Sequence, residues 1–318
     1  MNFVKGDRVS TLDAFAEAIA AFGGRNKKAV VMNADTSVDS KTGKFENLYP
    51  DRHFNFGNAE ANMVNTAAGF AARGKLPFAT GHAIFITGKP WEQIRNSICL
   101  PNLNVKLVGT HTGILTGEEG AIFQALEDVA IMRAIPNMKI ISPADAVEAY
   151  FAVDEMMKDF GPTYLRLSHI PVPVIYSNEH NFRIGFGDIL NFGEDVSLIA
   201  TGTMVHIAME AAEILEKEKG IRAMVVNMSS IKPIDEKLVL DCAKKTKMIF
   251  TLEDHGTKGG LGSAVSEFVS EKFPVHVHKI GMEKFGESGK PADLYKKYAL
   301  DSEGVVERIS SDFLGRKK

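Results

Sequence analysis

Two consecutive α/β units, each a parallel sheet covered by helices on both faces, are what this sequence predicts, and three observations carry that reading. Short apolar runs alternate with helical stretches from residue 10 to residue 167. The same alternation resumes at residue 196 and continues to 313. Between them lies a stretch, 170–194, that holds Pro171, Pro173, Asn178, Asn181 and Asn191 and reads as a connector. The fold class is therefore α/β with two three-layer α/β/α domains, and 318 residues suit about two domains. We set the first domain at 1–175, a linker at 176–190 and the second domain at 191–318.

The first unit opens with Ser10 and Asp13 at the head of STLDAFAEAIAAFG, where Phe15, Ile19 and Phe22 share one stripe and Gly23 and Gly24 are expected to end the helix. A buried strand, AVVMNA, follows at 29–34, then a polar loop to Tyr49. Residues 53–56 read as a short strand, Gly57 and Asn58 as a turn, and 59–73 as a helix stopped by Gly74 and Pro77. Glu60 is the only charge between Ala59 and Ala72, and seven other positions there are Ala or Gly, so this helix is expected to be buried almost all round.

A strand at 78–80 precedes a helix entered at Pro90 that carries Trp91, Ile94 and Ile98. Strand 105–110, the glycine-bearing loop HTGILTGEEG, helix 121–133, strand 139–142, helix 144–159 and strand 163–167 complete the unit. Ligands bind in loops at the carboxyl ends of such parallel strands, which selects the loops beginning at Asp35, Gly81, His111 and Pro143. The second unit reads as strands 196–200, 223–228, 248–252 and 275–280, with helices 205–217, 234–244, 263–271 and 305–313.

Composition excludes several classes. With 45% hydrophobic and 24% charged residues, a net charge of -3 and no block of like charge, neither a disordered tail nor a nucleic-acid surface is indicated. The polar start MNFVKGDRVS is not a secretory leader, and no window approaches the ~20 apolar residues of a membrane span, so a cytoplasmic location without membrane contact is expected. Cys99 and Cys242 lack metal-ligand spacing and read as core thiols. Small molecules and other protein chains are the expected partners.

Four features could carry chemistry. Glu60 sits in the first turn of its helix, where the dipole favours an acid, or where a dry site could hold a carboxylate for proton work. His111 and Glu119 flank a loop that suits either a polar substrate or a solvated turn. KGGLGS at 258–263 resembles a phosphate turn but lacks the spacing of a P-loop, and tight packing or a subunit contact explains its glycines as well. His276 and His278 alternate on one strand face with no carboxylate nearby in sequence, as on a surface or interface.

Taken together, FNFGNAEANMVNTAAGFAARGKLPFAT, AIF, WEQIRNSI, PNLNVKLVGTH, GEEG, QALEDVAIMRAIPNM, PADAVEA, YLRL, PVPVIY, SSIKPID, GGLGSAV and FGESG resemble the C-terminal half of a transketolase, in order and in register from about Ser10 onward. The resemblance implies a domain that binds the aminopyrimidine of thiamine diphosphate followed by the family's C-terminal domain. The GDG…Asn residues that hold Mg²⁺ in the family's other half are absent from this sequence. It therefore implies one subunit of a split enzyme whose N-terminal partner carries the diphosphate and Mg²⁺ site, in an assembly of two of each chain. The implied reaction passes a two-carbon ketol unit from a ketose to an aldose.

By the same resemblance Glu60 is the carboxylate that bonds the pyrimidine N1′ and so makes the cofactor's imino group a base. Phe85 is an aromatic that packs on the pyrimidine, and His111 stands near the substrate phosphate. His82 replaces the first member of the family's aromatic pair, Thr36 the apolar prop beneath the cofactor, Phe123 a site histidine, and Glu119 an aspartate. Asn58 and Ala61 also depart from the usual residues. Leu12 and Ser142 stand where the family offers arginines to a sugar phosphate, which implies a lost or rebuilt phosphate pocket. A 2-oxo acid dehydrogenase E1 β chain and a non-catalytic partner subunit are the competing readings.

Overall fold

The computed structural model describes residues 3–246 and 248–315. Its strands are β1 (Arg8–Val9), β2 (Ala29–Asn33), β3 (His53–Asn55), β4 (Leu76–His82), β5 (Lys106–Thr110), β6 (Lys139–Ile141), β7 (Thr163–Arg166), β8 (Val172–Pro173), β9 (Asp188–Asn191), β10 (Val196–Ala200), β11 (Ala223–Asn227), β12 (Ser230–Lys232), β13 (Met248–Gly256) and β14 (His276–Met282). A seven-stranded sheet runs β12-β6-β7-β5-β4-β2-β3 and a five-stranded one β14-β13-β10-β11-β9, while β1 and β8 form a separate ribbon. All pairs within the two sheets are parallel except β12 with β6 and β11 with β9.

Strand alternation sends successive side chains to opposite faces, and each sheet is covered accordingly. Val31, Phe78, Val108 and Leu165 pack against the Thr11–Arg25 and Ala146–Lys158 helices, while Val30, Met32, Ala79 and Leu107 pack against Met63, Val64 and Ala67 of the Glu60–Ala72 helix. In the second sheet Leu198 and Phe250 face the Met204–Ile214 and Ser302–Gly315 helices, and Ile199 and Ile249 face Glu236–Thr246 and Leu261–Lys272. The two three-layer units stand as expected. Among the described residues, no helix is long and apolar enough to cross a membrane.

Several local expectations change. Gly23 and Gly24 do not end the first helix, which Ser10 caps by accepting the Asp13 amide and which continues to Arg25. Their smallness serves packing, because a Cβ at Gly23 would lie 2.5 Å from Phe45 and one at Gly24 2.7 Å from the Tyr49 hydroxyl. The loop before Tyr49 contains the helix Gly43–Leu48. The helix expected at 121–133 forms only as Asp128–Arg133, since Gln124 is held by the second unit through Nε2 donating to the Glu287 carbonyl at 2.9 Å. The Glu60–Ala72 helix buries one face, and Asn62, Asn65, Gly69 and Ala72 are exposed in this chain.

The KGGLGS stretch is occupied from within. The buried Glu253 carboxylate accepts the Leu261 and Gly262 amides at 2.7 and 2.9 Å, filling the helix start that an anion would use. A Cβ at Gly260 would lie 1.9 Å from that carboxylate, so the glycine is there for close approach. No carboxylate stands near His278 in sequence, and the fold brings one from far along the chain, Asp312 at 2.6 Å, on the Ser302–Gly315 helix.

The two units share backbone as well as side chains. Strand β12 leaves the second unit to pair with β6, Ser230 opposite Ile141. The Ser142 amide donates to the Ser229 carbonyl, and the Gly202 amide donates to Ser142. Beneath this junction, Arg166 donates to Asp128 Oδ2 at 2.8 Å and to the Asp254 carbonyl at 2.8 Å, and Tyr164 donates to the same Asp128 oxygen at 2.6 Å. Asp254 in turn accepts the Ile114 amide at 2.8 Å, a contact that needs Gly113, whose φ is +70° and whose Cβ would strike the carboxylate at 2.0 Å.

Candidate functional site

The carboxyl ends of β2, β4, β5 and β7 lie along one edge of the first sheet, because the four strands are parallel neighbours or linked through parallel neighbours. Strand β4 ends at His82, β5 leads into His111, and His169 follows β7. Glu60 comes to this edge as the first residue of its helix and is only 5% exposed. Its two oxygens accept from Lys89 Nζ at 2.8 and 3.0 Å, and the same ammonium donates to Asn58 Oδ1 at 3.2 Å. Lys89 follows the short helix Ala83–Gly88 and stands over the ring of half-buried Phe85, 4.4 Å from its centroid.

Aromatic rings continue from there as a ladder. Phe85 and His82 are parallel with centroids 6.1 Å apart, His82 stacks on His111 at 4.6 Å, and His111 stacks on His169 at 4.2 Å. Phe123 sets its edge to both His82 and Phe85, at 5.5 and 5.3 Å. Burial first, then the neighbouring imidazoles, push the His111 pKa down to about 3, and burial lowers that of His169. Both rings are neutral at ordinary pH, and His111 Nδ1 lies 3.0 Å from the Thr110 hydroxyl. His82 is 7% exposed with neither ring nitrogen hydrogen-bonded among the described residues.

The sequence candidates are thus partly assembled. Glu60, Phe85, His82, His111 and Phe123 form a continuous patch through Lys89 and the ring contacts. Thr36 lies beyond β2 on the same edge, within a hydroxyl cluster of Ser40 and Thr80. Glu119 is exposed at the end of the Ile114–Glu119 turn. Leu12 is wholly buried in the core and Ser142 lies 2% exposed against Gly202 at the domain junction, so both are packing residues. Sequence reasoning missed Lys89 and His169. His169 carried a signal, standing just past a parallel strand end, whereas Lys89 stood only in a polar stretch before a proline.

A buried acid beside a flat apolar face can bond one edge of a heteroaromatic ring while the face fixes its plane. Fold and site together define a two-domain α/β protein with an acid and an aromatic wall at the carboxyl edge of its first sheet. Residues 7–173 match the transketolase pyrimidine binding domain, and 185–305 match the transketolase C-terminal domain. The chain belongs to the transketolase family, whose members use thiamine diphosphate, and corresponds to the C-terminal subunit of a split transketolase.

It is 44% identical over 303 residues to a putative transketolase C-terminal section of Methanocaldococcus jannaschii, covering 94% of each chain. It is 36% identical to the 6-deoxy-6-sulfo-D-fructose transketolase subunit SqwH of a Clostridium strain, covering 96% of this chain and 94% of that one. Against rat transketolase it is also 36% identical, yet spans only 50% of that protein. A solved split-gene transketolase, described as an inactive β4 tetramer, superposes with a TM-score of 0.89 at 41% identity over 97% of this chain and 99% of that one. These matches support transketolase over the E1 β reading.

Proposed function

We propose that this chain is the catalytic C-terminal subunit of a two-chain transketolase, transferring a two-carbon ketol unit from a ketose to an aldose and active only with an N-terminal subunit. The observation that carries this is the buried Glu60 carboxylate beside Phe85 at the strand ends. The donor set fits an aminopyrimidine, with an acid for the ring nitrogen and an apolar face for the ring. The partner would hold the diphosphate and Mg²⁺, and two copies of each chain would form the assembly. The inactive β4 description of the split relative supports both self-association and the need for a second chain. Residues 1–175 form the pyrimidine-binding domain in this reading, 176–190 the linker, which the edge strand β9 enters, and 191–318 the C-terminal domain.

When bound, thiamine diphosphate would supply a nucleophilic carbon for the two-carbon transfer, with Glu60 and Phe85 holding its aminopyrimidine. Glu60 would accept a hydrogen bond from the protonated pyrimidine N1′ and so favour the tautomer whose imino group serves as base. Phe85 fixes the ring plane, with Thr36 at the same edge. His82 and His111, the latter neutral, present imidazoles to sugar hydroxyls, and Phe123 closes the wall against water. Glu119 stands at the rim for an acceptor hydroxyl. Leu12 and Ser142 are buried, so the far end of the sugar is held by other groups. The chain works in the cytoplasm in this reading.

The test is two-carbon transfer between a ketose and an aldose by the chain assembled with its partner, with thiamine diphosphate and Mg²⁺. Wild type should turn over and Glu60→Gln should lose about 100-fold or more in kcat, the scale of a positioned proton-transfer group. Equal turnover by the two would overturn the assignment of Glu60.

A further inference from the structure

The Lys89 ammonium meets the two surfaces that the proposed function assigns to the aminopyrimidine. It takes both Glu60 oxygens, at 2.8 and 3.0 Å, and covers the Phe85 face at 4.4 Å from the centroid. Its third hydrogen bond is to Asn58, one of the residues that departs from the family pattern beside Glu60. Three oxygens and an aromatic face around one ammonium satisfy its three donors and its charge together. The lysine reaches the site from the end of the Ala83–Gly88 helix, immediately before Pro90, and 43% of its side chain is exposed. Its flexible stem can therefore carry the charge outward to water without any change of fold.

We propose that Lys89 is a displaceable occupant of the aminopyrimidine subsite, a cofactor mimic that holds Glu60 until thiamine diphosphate enters and turns it out. This rests on the proposed function above. An ammonium seated on the Phe85 face and a heteroaromatic ring stacked on that face exclude one another sterically. The ammonium that bridges both Glu60 oxygens also lies over the Phe85 face, so a ring on that face cannot bring its nitrogen to Glu60 while the ammonium stays. Entry of the cofactor is an exchange of one Glu60 partner for another. While Lys89 is in place the competent state is a minor fraction, and apparent affinity falls by that fraction. The latch also keeps a buried carboxylate paired in the chain before the cofactor arrives, which avoids the cost of an uncompensated buried charge.

Lys89→Met retains the apolar stem and removes the ammonium, whereas Lys89→Arg retains the charge. Calorimetric titration of the assembled two-chain protein with thiamine diphosphate and Mg²⁺ should show Lys89→Met binding about three- to tenfold tighter than wild type, the scale of one partly exposed charged contact. Lys89→Arg should show no such gain. A second measurement needs only this chain: acylation of the Lys89 amine, followed by peptide mass spectrometry, should be faster in Glu60→Gln than in wild type. Unchanged or weaker binding by Lys89→Met, with Glu60→Gln still impaired, overturns the latch and leaves the proposed function standing. Equal acylation rates in the two proteins also overturn it. Absence of binding by the wild-type assembly removes the proposed function, and the latch with it.

Discussion

Glu148 and His111 are single residues whose environments push their proton equilibria in opposite directions, and each makes stability depend on pH with a definite sign. Burial, with Asp145 adding, raises the Glu148 carboxyl from 4.5 to about 8, although it accepts from the Ala144 amide and from Asn227. The folded chain therefore binds this proton more tightly than the unfolded one. The stabilisation is full below about pH 4.5 and is lost as pH rises toward 8. Glu148→Gln should remove that loss and be more stable than wild type at pH 8 and above, measured as urea midpoints across pH. His111, lowered from 6.5 to about 3, acts on the acid side. Its contribution is present above about pH 6.5 and is lost as pH falls toward 3, so His111→Asn should flatten the acid limb of the same profile. A limb unchanged by its substitution would show that the group titrates alike in both states.

At the scale of elements, what the sequence made legible was what hydrophobic period dictates. The Val196–Ala200 strand and the Ser10-capped helix follow from local pattern alone. The failures share a cause in contacts far along the chain. Gly23 and Gly24 look like a helix stop, but Phe45 and Tyr49 lie against them. Residues 121–127 have a helical pattern, but Gln124 bonds Glu287, 163 residues away. Strand β12 is three residues long and gains its identity only by pairing with another unit. In the candidate site, Glu60 and Phe85 were legible through their motif, while Lys89 was not, since its meaning lies in a contact across 29 residues. The Glu253 cap on the Leu261–Lys272 helix is a further case, and it can be tested. Gly260→Ala would thrust a methyl into the carboxylate and break the two hydrogen bonds it accepts from the Leu261 and Gly262 amides, so a loss of about 1–3 kcal/mol is expected in urea unfolding. Wild-type stability in that variant would mean that the helix start is not held by Glu253.

On the scale of the whole molecule, the site edge and the second domain are locked by one buried ionic cluster. Burial alone would raise the Asp128 carboxyl, but the Arg166 guanidinium and His255 outweigh it and hold it below the usual range. Arg166 binds Asp128 through its Nε and reaches across to the Asp254 carbonyl through Nη2, so a single side chain ties β7, whose end leads to His169, to β13 of the second sheet. Such a cluster is costly to desolvate, and its value is in register, since only one docking of the two sheets satisfies every member. Removing one partner exposes that cost. Arg166→Met should destabilise the chain by about 3–5 kcal/mol, because Asp128 is left charged and buried. The double variant Arg166→Met with Asp128→Leu should recover only part of the loss, as the Tyr164 hydroxyl then lacks its acceptor. Denaturant unfolding of both variants, with limited proteolysis of the 170–194 connector, separates two outcomes. If the cluster sets domain docking, Arg166→Met opens the connector to cleavage before the sheets unfold. If it only stabilises β7 locally, cleavage and unfolding coincide, and the β12–β6 pairing is what holds the domains in register.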